Sequence, residues 1–150
     1  MTNQETAVKM RQHHATMVAQ LGALNDRLQG QNGQTEPMMQ IRDAIVEFAT
    51  SELLPHAAAE ESTIYRAAQN VDGFLVFVSS MIDEHQILRE IIDSLKSATA
   101  DAAMISFAGA LTSLFAWHAE KENRFIIDDF ATRDTIDLSE ILGSMHQKLS

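Results

Sequence analysis

The chain has 150 residues, no cysteine and a formal net charge of -10 at pH 7. That length suits one domain burying about two-thirds of the surface its unfolded form exposes. Without cysteine there are no disulfides, thiolate zinc sites, iron–sulfur clusters or thiol nucleophiles, so any metal must bind through nitrogen and oxygen. The acidic balance, with no compact Lys/Arg stripe, argues against a nucleic-acid partner. The N-terminus "MTNQETAVKM" lacks the basic start and apolar run of a signal peptide. No apolar stretch is read as approaching the roughly 18 residues of a membrane span, so the expectation is a soluble cytoplasmic protein without membrane contact.

Taken in chain order, four long segments place apolar residues three and four apart, the mark of packed amphipathic helices, and nothing alternates with a period of two. The first runs from about Thr6 to Leu28 with Met10, Met17, Leu21, Leu24 and Leu28 on one face, and the glycines of "GQNGQTEP" end it. The second is expected from Pro37 to about Gln69 through Ile41, Ile45, Phe48 and Leu53, bent at Pro55, which lacks a backbone donor. "NVDG" breaks the chain before a third helix, about Phe74 to Lys96, carrying Val78, Met81, Leu88, Ile92 and Leu95. A fourth, about 101 to 130, has Asp101 as its expected N-cap. Residues 135 to 149 read as a tail helix with Ile136, Leu138, Ile141, Leu142 and Met145 available to dock. Together these predict an all-α protein of one domain, an antiparallel up-down-up-down four-helix bundle with a short C-terminal tail helix.

The histidines interrupt this apolar pattern. His14 lies in register with Met10, Met17 and Leu21; His56 follows Leu53; His85 sits between Met81 and Leu88; His118 follows Leu114. His56 and His118 are each followed four residues later by a glutamate, Glu60 and Glu122, so each pair shares one helical face. An uncompensated buried carboxylate costs more than a domain of this size can tolerate. Counted from the loops, the four histidines lie at depths that agree to within about 8 Å at 1.5 Å per residue, so they can share one layer. Four imidazoles and two carboxylates suit a pair of divalent first-row ions with positions left open, iron first, then manganese, then zinc. A metal-free buried His–Glu hydrogen-bond network is the structural alternative.

The stretches "RQHHATMVAQL", "LLPHAAAEESTIY", "MIDEHQILREII" and "WHAEKENRF" resemble the hemerythrin-like, or HHE cation-binding, family over about residues 6 to 130. The resemblance implies a non-haem centre of two iron ions, oxo- or hydroxo-bridged, with an open site for dioxygen, peroxide or nitric oxide. It implies His14, His56, Glu60, His85, His118 and Glu122 as metal ligands, the glutamates bridging. The oxygen carriers of that family have two histidines a turn apart on the third helix, where this chain has Met81 before His85 and Arg89 after it. They also space the last pair as His-x-x-x-x-Asp. Reversible oxygen carriage is therefore not the expected role; an iron or oxygen sensor, or a peroxide- or oxygen-reducing enzyme, remain open, as does a protein partner.

Other residues receive lesser expectations. Glu52, one turn before His56, is a candidate to orient that ring. Tyr65 is a candidate hydrogen-bond donor or unusual ligand, with helix packing and a wet hydroxyl the favoured reading. Glu84 is placed on the flank and Glu61 in solvent. Trp117 is expected between helices, Phe125 inward, and His13 and His146 on the surface. The methionines are read as core filling rather than a copper site, with Met17, Met81 and Leu114 keeping the pocket apolar.

Overall fold

Thr2 caps the first helix through a reciprocal pair: the Glu5 amide donates to its hydroxyl at 3.1 Å, and its own amide donates to the Glu5 carboxylate at 2.8 Å. This box starts α1 at Asn3, three residues earlier than the apolar pattern alone indicates, and α1 ends at Leu28. Gly30, at φ 74°, then turns the chain with the positive φ that glycine tolerates. The computed structural model describes residues 1–30 and 36–150; Gly33, the second glycine expected to end the helix, lies outside the described residues.

The described residues are helical, without a strand. α2 (Met38–Phe48), α3 (Leu54–Ser62), α4 (Ile64–Gln69), α5 (Leu75–Ser97), α6 (Asp101–Glu122), α7 (Asp128–Ala131) and α8 (Leu138–Leu149) follow α1. The expected second helix is thus not one bent rod. A π-helical turn, Ala49–Leu53, joins α2 to α3, with the Leu54 amide bonded five residues back to the Ala49 carbonyl. Pro55 consequently sits in the first turn of α3, where its missing N–H is no loss, instead of breaking an α-helical ladder. Thr63, at φ -127° and ψ -87°, makes a second break before α4.

The fourth segment has the same construction. A π-helical turn at Asn123–Ile127 follows α6, its closing bond running from the Asp128 amide to the Asn123 carbonyl. The wider turn puts Ile126 and Ile127 in the core and carries Phe125 outward to 46% exposure, against the expectation that it faces in. Trp117, expected between helices, is 67% exposed, because α6 turns His118 and Phe115 to the core and so points their neighbour away. Asp101 lies in the first turn of α6, with Ala100 at the cap position.

Two apolar clusters make the core. One joins Met17, Leu21 and Leu28 of α1 to Ile41 and Ile45 of α2, Leu88, Ile92 and Leu95 of α5, and Met104, Leu111 and Phe115 of α6. The other joins Ala7 and Met10 to Tyr65 and Ala68, Val78 and Met81, Ile126 and Phe130, and the tail's Leu138 and Met145. Along each long segment the six candidate ligands fall between the two clusters, so a polar layer is sealed above and below by hydrocarbon.

The helix and π-turn from Asp101 to Ala131 are, by length and composition, apolar enough to cross a membrane, which corrects the statement that no stretch approaches this. The reason is an uncharged run from Ala102 to Ala119. In the fold this run packs Met104, Ala108, Leu111 and Phe115 into the protein core.

The tail docks on its own chain. The Asn3 side chain donates to the Ile136 carbonyl at 2.8 Å and accepts from the Leu138 amide at 3.0 Å. Leu138 is fully buried, Met145 nearly so, and Ile136, Ile141 and Leu142 pack partly buried against the same cluster. Replacing Leu138→Ala should cost about 2–5 kcal/mol in urea unfolding, the range for emptying a buried leucine site. A cost below about 0.5 kcal/mol would show that the tail is not part of the core.

Candidate metal centre

The four histidines enter the polar layer from separate segments, all with Nε2 inward. His14 and His56 Nε2 atoms are 3.2 Å apart, and those of His85 and His118 are 2.9 Å apart, forming two pairs. Each glutamate spans both pairs. Glu60 Oε2 lies 3.1 Å from His56 Nε2 and 3.4 Å from His14 Nε2, while its Oε1 lies 3.4 Å from His85 Nε2. Glu122 Oε1 lies 3.3 Å from His14 Nε2, and Oε2 lies 3.8 Å from His118 Nε2. All six residues are at most 6% exposed, so all six expected site residues meet in one enclosed layer.

Hydrogen bonds on the far side of three rings fix their orientation. His14 Nδ1 is 2.7 Å from Asn123 Oδ1, His118 Nδ1 is 2.9 Å from Glu84 Oε1, and His85 Nδ1 is 3.2 Å from Glu61 Oε2. An acceptor at Nδ1 holds the proton there and leaves the Nε2 lone pair free. These partners correct two expectations. Glu84 is not merely on the flank but accepts a hydrogen bond from His118 Nδ1 and is paired with Lys121. Glu61 does not simply face solvent; it joins His85 to Arg89. Position on the helix wheel gives the direction of a side chain from its own axis, whereas these carboxylates reach across to a neighbouring helix.

Glu52 is exposed and does not orient His56, whose Nδ1 has no hydrogen-bond partner. His13, exposed as expected, lies beside the same ring with centroids 5.1 Å apart. Asn123 was given no role by its sequence; it ends α6 directly after Glu122 and its side chain reaches across to His14 on a neighbouring helix.

Tyr65 is the larger departure. It is fully buried, and its hydroxyl donates to Glu122 Oε2 at 2.6 Å while lying 3.1 Å from His118 Nε2 and 3.4 Å from His85 Nε2. Five residues beyond Glu60 an unbroken helix would point it about 140° away. The break at Thr63 restarts the helix with Ile64, Tyr65 and Ala68 inside. The phenol therefore stands beside His85, on the helix where a second histidine is missing.

The electrostatics are those of a centre lacking positive charge. Burial, and then the charge of Glu60, raises Glu122 well above the ordinary carboxylate range. For Glu60 burial acts upward too, but the charge of neighbouring His56 outweighs it and holds the group well below the ordinary carboxylate range. Burial opposes a proton on His56, yet the Glu60 charge raises it overall. His118 is lowered, chiefly by burial. Tyr65 is raised well above 10.0, first by burial and then by the Glu122 and Glu60 charges, so it stays a neutral donor.

Glu60 Oε2 and Glu122 Oε1 are buried without a hydrogen-bond donor. The facing Nε2 atoms of His85 and His118, 2.9 Å apart, likewise have no stable arrangement when both protons sit on the outer nitrogens. Cations resolve both problems at once, and the oxygen and nitrogen donors are of the kind iron, manganese and zinc accept. Ligand atoms of His14, His56 and Glu60 lie within 4.8 Å of one another, as do those of Glu60, His85 and His118, which gives two candidate metal positions sharing Glu60.

The family model for the hemerythrin HHE cation-binding domain matches residues 6–124. The chain belongs to this cation-binding family, and its buried His/Glu clusters are a candidate metal site. No curated protein and no solved structure matches it.

Tyr65→Phe tests the local account without adding bulk. It leaves Glu122 Oε2 without its donor and should destabilise the metal-free protein by about 1–3 kcal/mol in chemical unfolding. An unchanged unfolding midpoint would show that this hydrogen bond does not hold the layer together.

Proposed function

We propose that the chain is a non-haem di-iron protein of an antiparallel up-down-up-down bundle that binds dioxygen, peroxide or nitric oxide at an open iron position. The observation that carries this is the placement of each carboxylate with one oxygen toward each histidine pair. That is the arrangement two bridging carboxylates need. His14 and His56 would hold one ion and His85 and His118 the other, with Glu60 and Glu122 shared. Iron fits best among first-row metals when nitrogen and oxygen donors leave positions open, with manganese and zinc behind it. The antiparallel order accounts for the alternation by which the C-terminal half of α1 shares a cluster with the start of α2, the end of α5 and the start of α6.

When bound, the iron pair would supply electrons and an open coordination position for a small oxidant. The chain's residues prepare that chemistry. Asn123, Glu61 and Glu84 keep protons on the outer ring nitrogens, which directs the inner lone pairs at the centre. Met17, Leu88 and Phe115 on one side and Met10 and Met81 on the other exclude bulk water. Tyr65 holds Glu122 in place and offers a proton donor beside His85 and His118. A proton donor there favours reduction or sensing over reversible carriage. A cytoplasmic location, with neither a membrane nor a nucleic acid as partner, is part of the same proposal.

A regulatory iron or oxygen sensor without turnover is the second reading. It is favoured by the buried oxygens of Glu60 and Glu122 that have no hydrogen-bond donor, since metal binding there would add directly to folding stability.

Proton release tests the shared premise. Glu122 and His56 are raised in the metal-free protein, so a cation must displace protons to bind them both. Anaerobic ferrous titration by calorimetry, in buffers of differing ionisation heat, should show net proton release, with affinity rising as pH rises. Heat independent of buffer would contradict the assignment. Catalytic loss of hydrogen peroxide that disappears in Glu60→Ala or His118→Ala would favour the enzyme; a large rise in melting temperature on ferrous loading without turnover would favour the sensor.

A further inference from the structure

The tail helix closes a cavity against the outer side of the metal layer. It has a volume of about 220 Å³ and lies between α1, α3 and α8. Its walls are hydrocarbon from Met10, Leu142, Met145 and Leu149, and its inner wall is formed by His14 and His56. The Nε2 atom of His56 faces the metal layer, while Nδ1, on the other side of the ring, is buried with no partner. Around this apolar space lie Lys9, His13 and His146, none of which the proposed metal chemistry uses.

We propose that this cavity binds a small apolar monocarboxylate, its hydrocarbon against the methionines and leucines and its carboxylate against Lys9, His13 and His146. Charge complementarity selects the anion. The chain carries -10 overall, yet no Asp or Glu lines this cavity. Lys9 forms no salt bridge among the described residues, although Glu5 lies one turn before it and Glu52 near His13. Size selects the hydrocarbon. A dry apolar cavity of roughly 150 Å³ admits benzene, so in proportion this one admits about nine non-hydrogen atoms. Hexanoate, with eight, fits that limit. α8, which supplies Leu142, Met145, His146 and Leu149, lies beyond the residues matched by the family model. An occupant would lie directly against one histidine pair, but the cavity exists through packing and does not depend on metal.

Hexanoate, 1-hexanol and hexylammonium should be titrated separately into the protein as isolated and after chelation, with methionine methyl resonances and calorimetry as readouts. Saturable shifts at Met10 and Met145, with Met104 unmoved, are expected for hexanoate in both preparations. Lys9→Gln should weaken hexanoate about fivefold, the scale of one partly exposed charge, and hexylammonium should bind at least that much more weakly than hexanoate. Leu142→Trp, which fills the cavity from a half-buried position, should abolish binding while leaving the Met104 signal in place. No saturation, equal binding of hexylammonium, or full affinity in Lys9→Gln would overturn the proposal. Because chelated protein is titrated too, a failure of the metal assignment leaves this result readable.

Discussion

Two carboxylates buried at 2% exposure or less, within reach of four imidazoles, are the constraint on which the rest of the molecule depends. Such a layer is strongly unfavourable unless its charges are compensated. The two apolar clusters above and below make it worse by excluding water, and they also make it useful, because a low-polarity enclosure strengthens every interaction of a bound cation. Stability and chemistry are therefore set by one balance. Without metal, burial and the Glu60 charge favour a proton on Glu122 and Tyr65 supplies a donor; with metal, the same oxygens become ligands in the reading proposed above.

The backbone irregularities follow from the same layer. π-helical turns lie just before His56 on the second segment and just after Glu122 on the fourth, and Thr63 interrupts the helix just after Glu60. Each lets a ligand-bearing helix change phase between the apolar cluster on one side and the polar layer or second cluster on the other. The break at Thr63 gives Glu122 its donor, and Asn123, at the junction of α6 and the π-turn, is the partner of His14. Single-turn π-helices are rare in helices at large and concentrate at functional sites, where an inserted residue re-aims side chains.

Much of this was legible in the residues. The spacing of apolar positions predicted the long helices and the tail, and histidines recurring in those stripes picked out six residues that meet in space. Resemblance over four short motifs agreed with the family that matches residues 6–124. What periodicity could not show was anything that depends on a change of phase or on reach across helices. Pro55 read as a kink because an ideal helix has no π-turn; Tyr65 read as a packing residue because an ideal helix has no break at Thr63. Glu61 and Glu84 read as surface charges because a helical wheel carries no information about the rings on neighbouring helices that they bond. The uncharged run of α6 was underestimated for a simpler reason: its alanines, serines and single glycine dilute the apolar character of the segment.

The central claim is that the paired histidines and shared glutamates hold two ions. Metal analysis of the purified protein after expression in iron-rich medium tests it most directly. The account predicts about two iron ions per chain with near-ultraviolet absorption from a bridged pair, and fewer than about 0.2 metal ions per chain would contradict it.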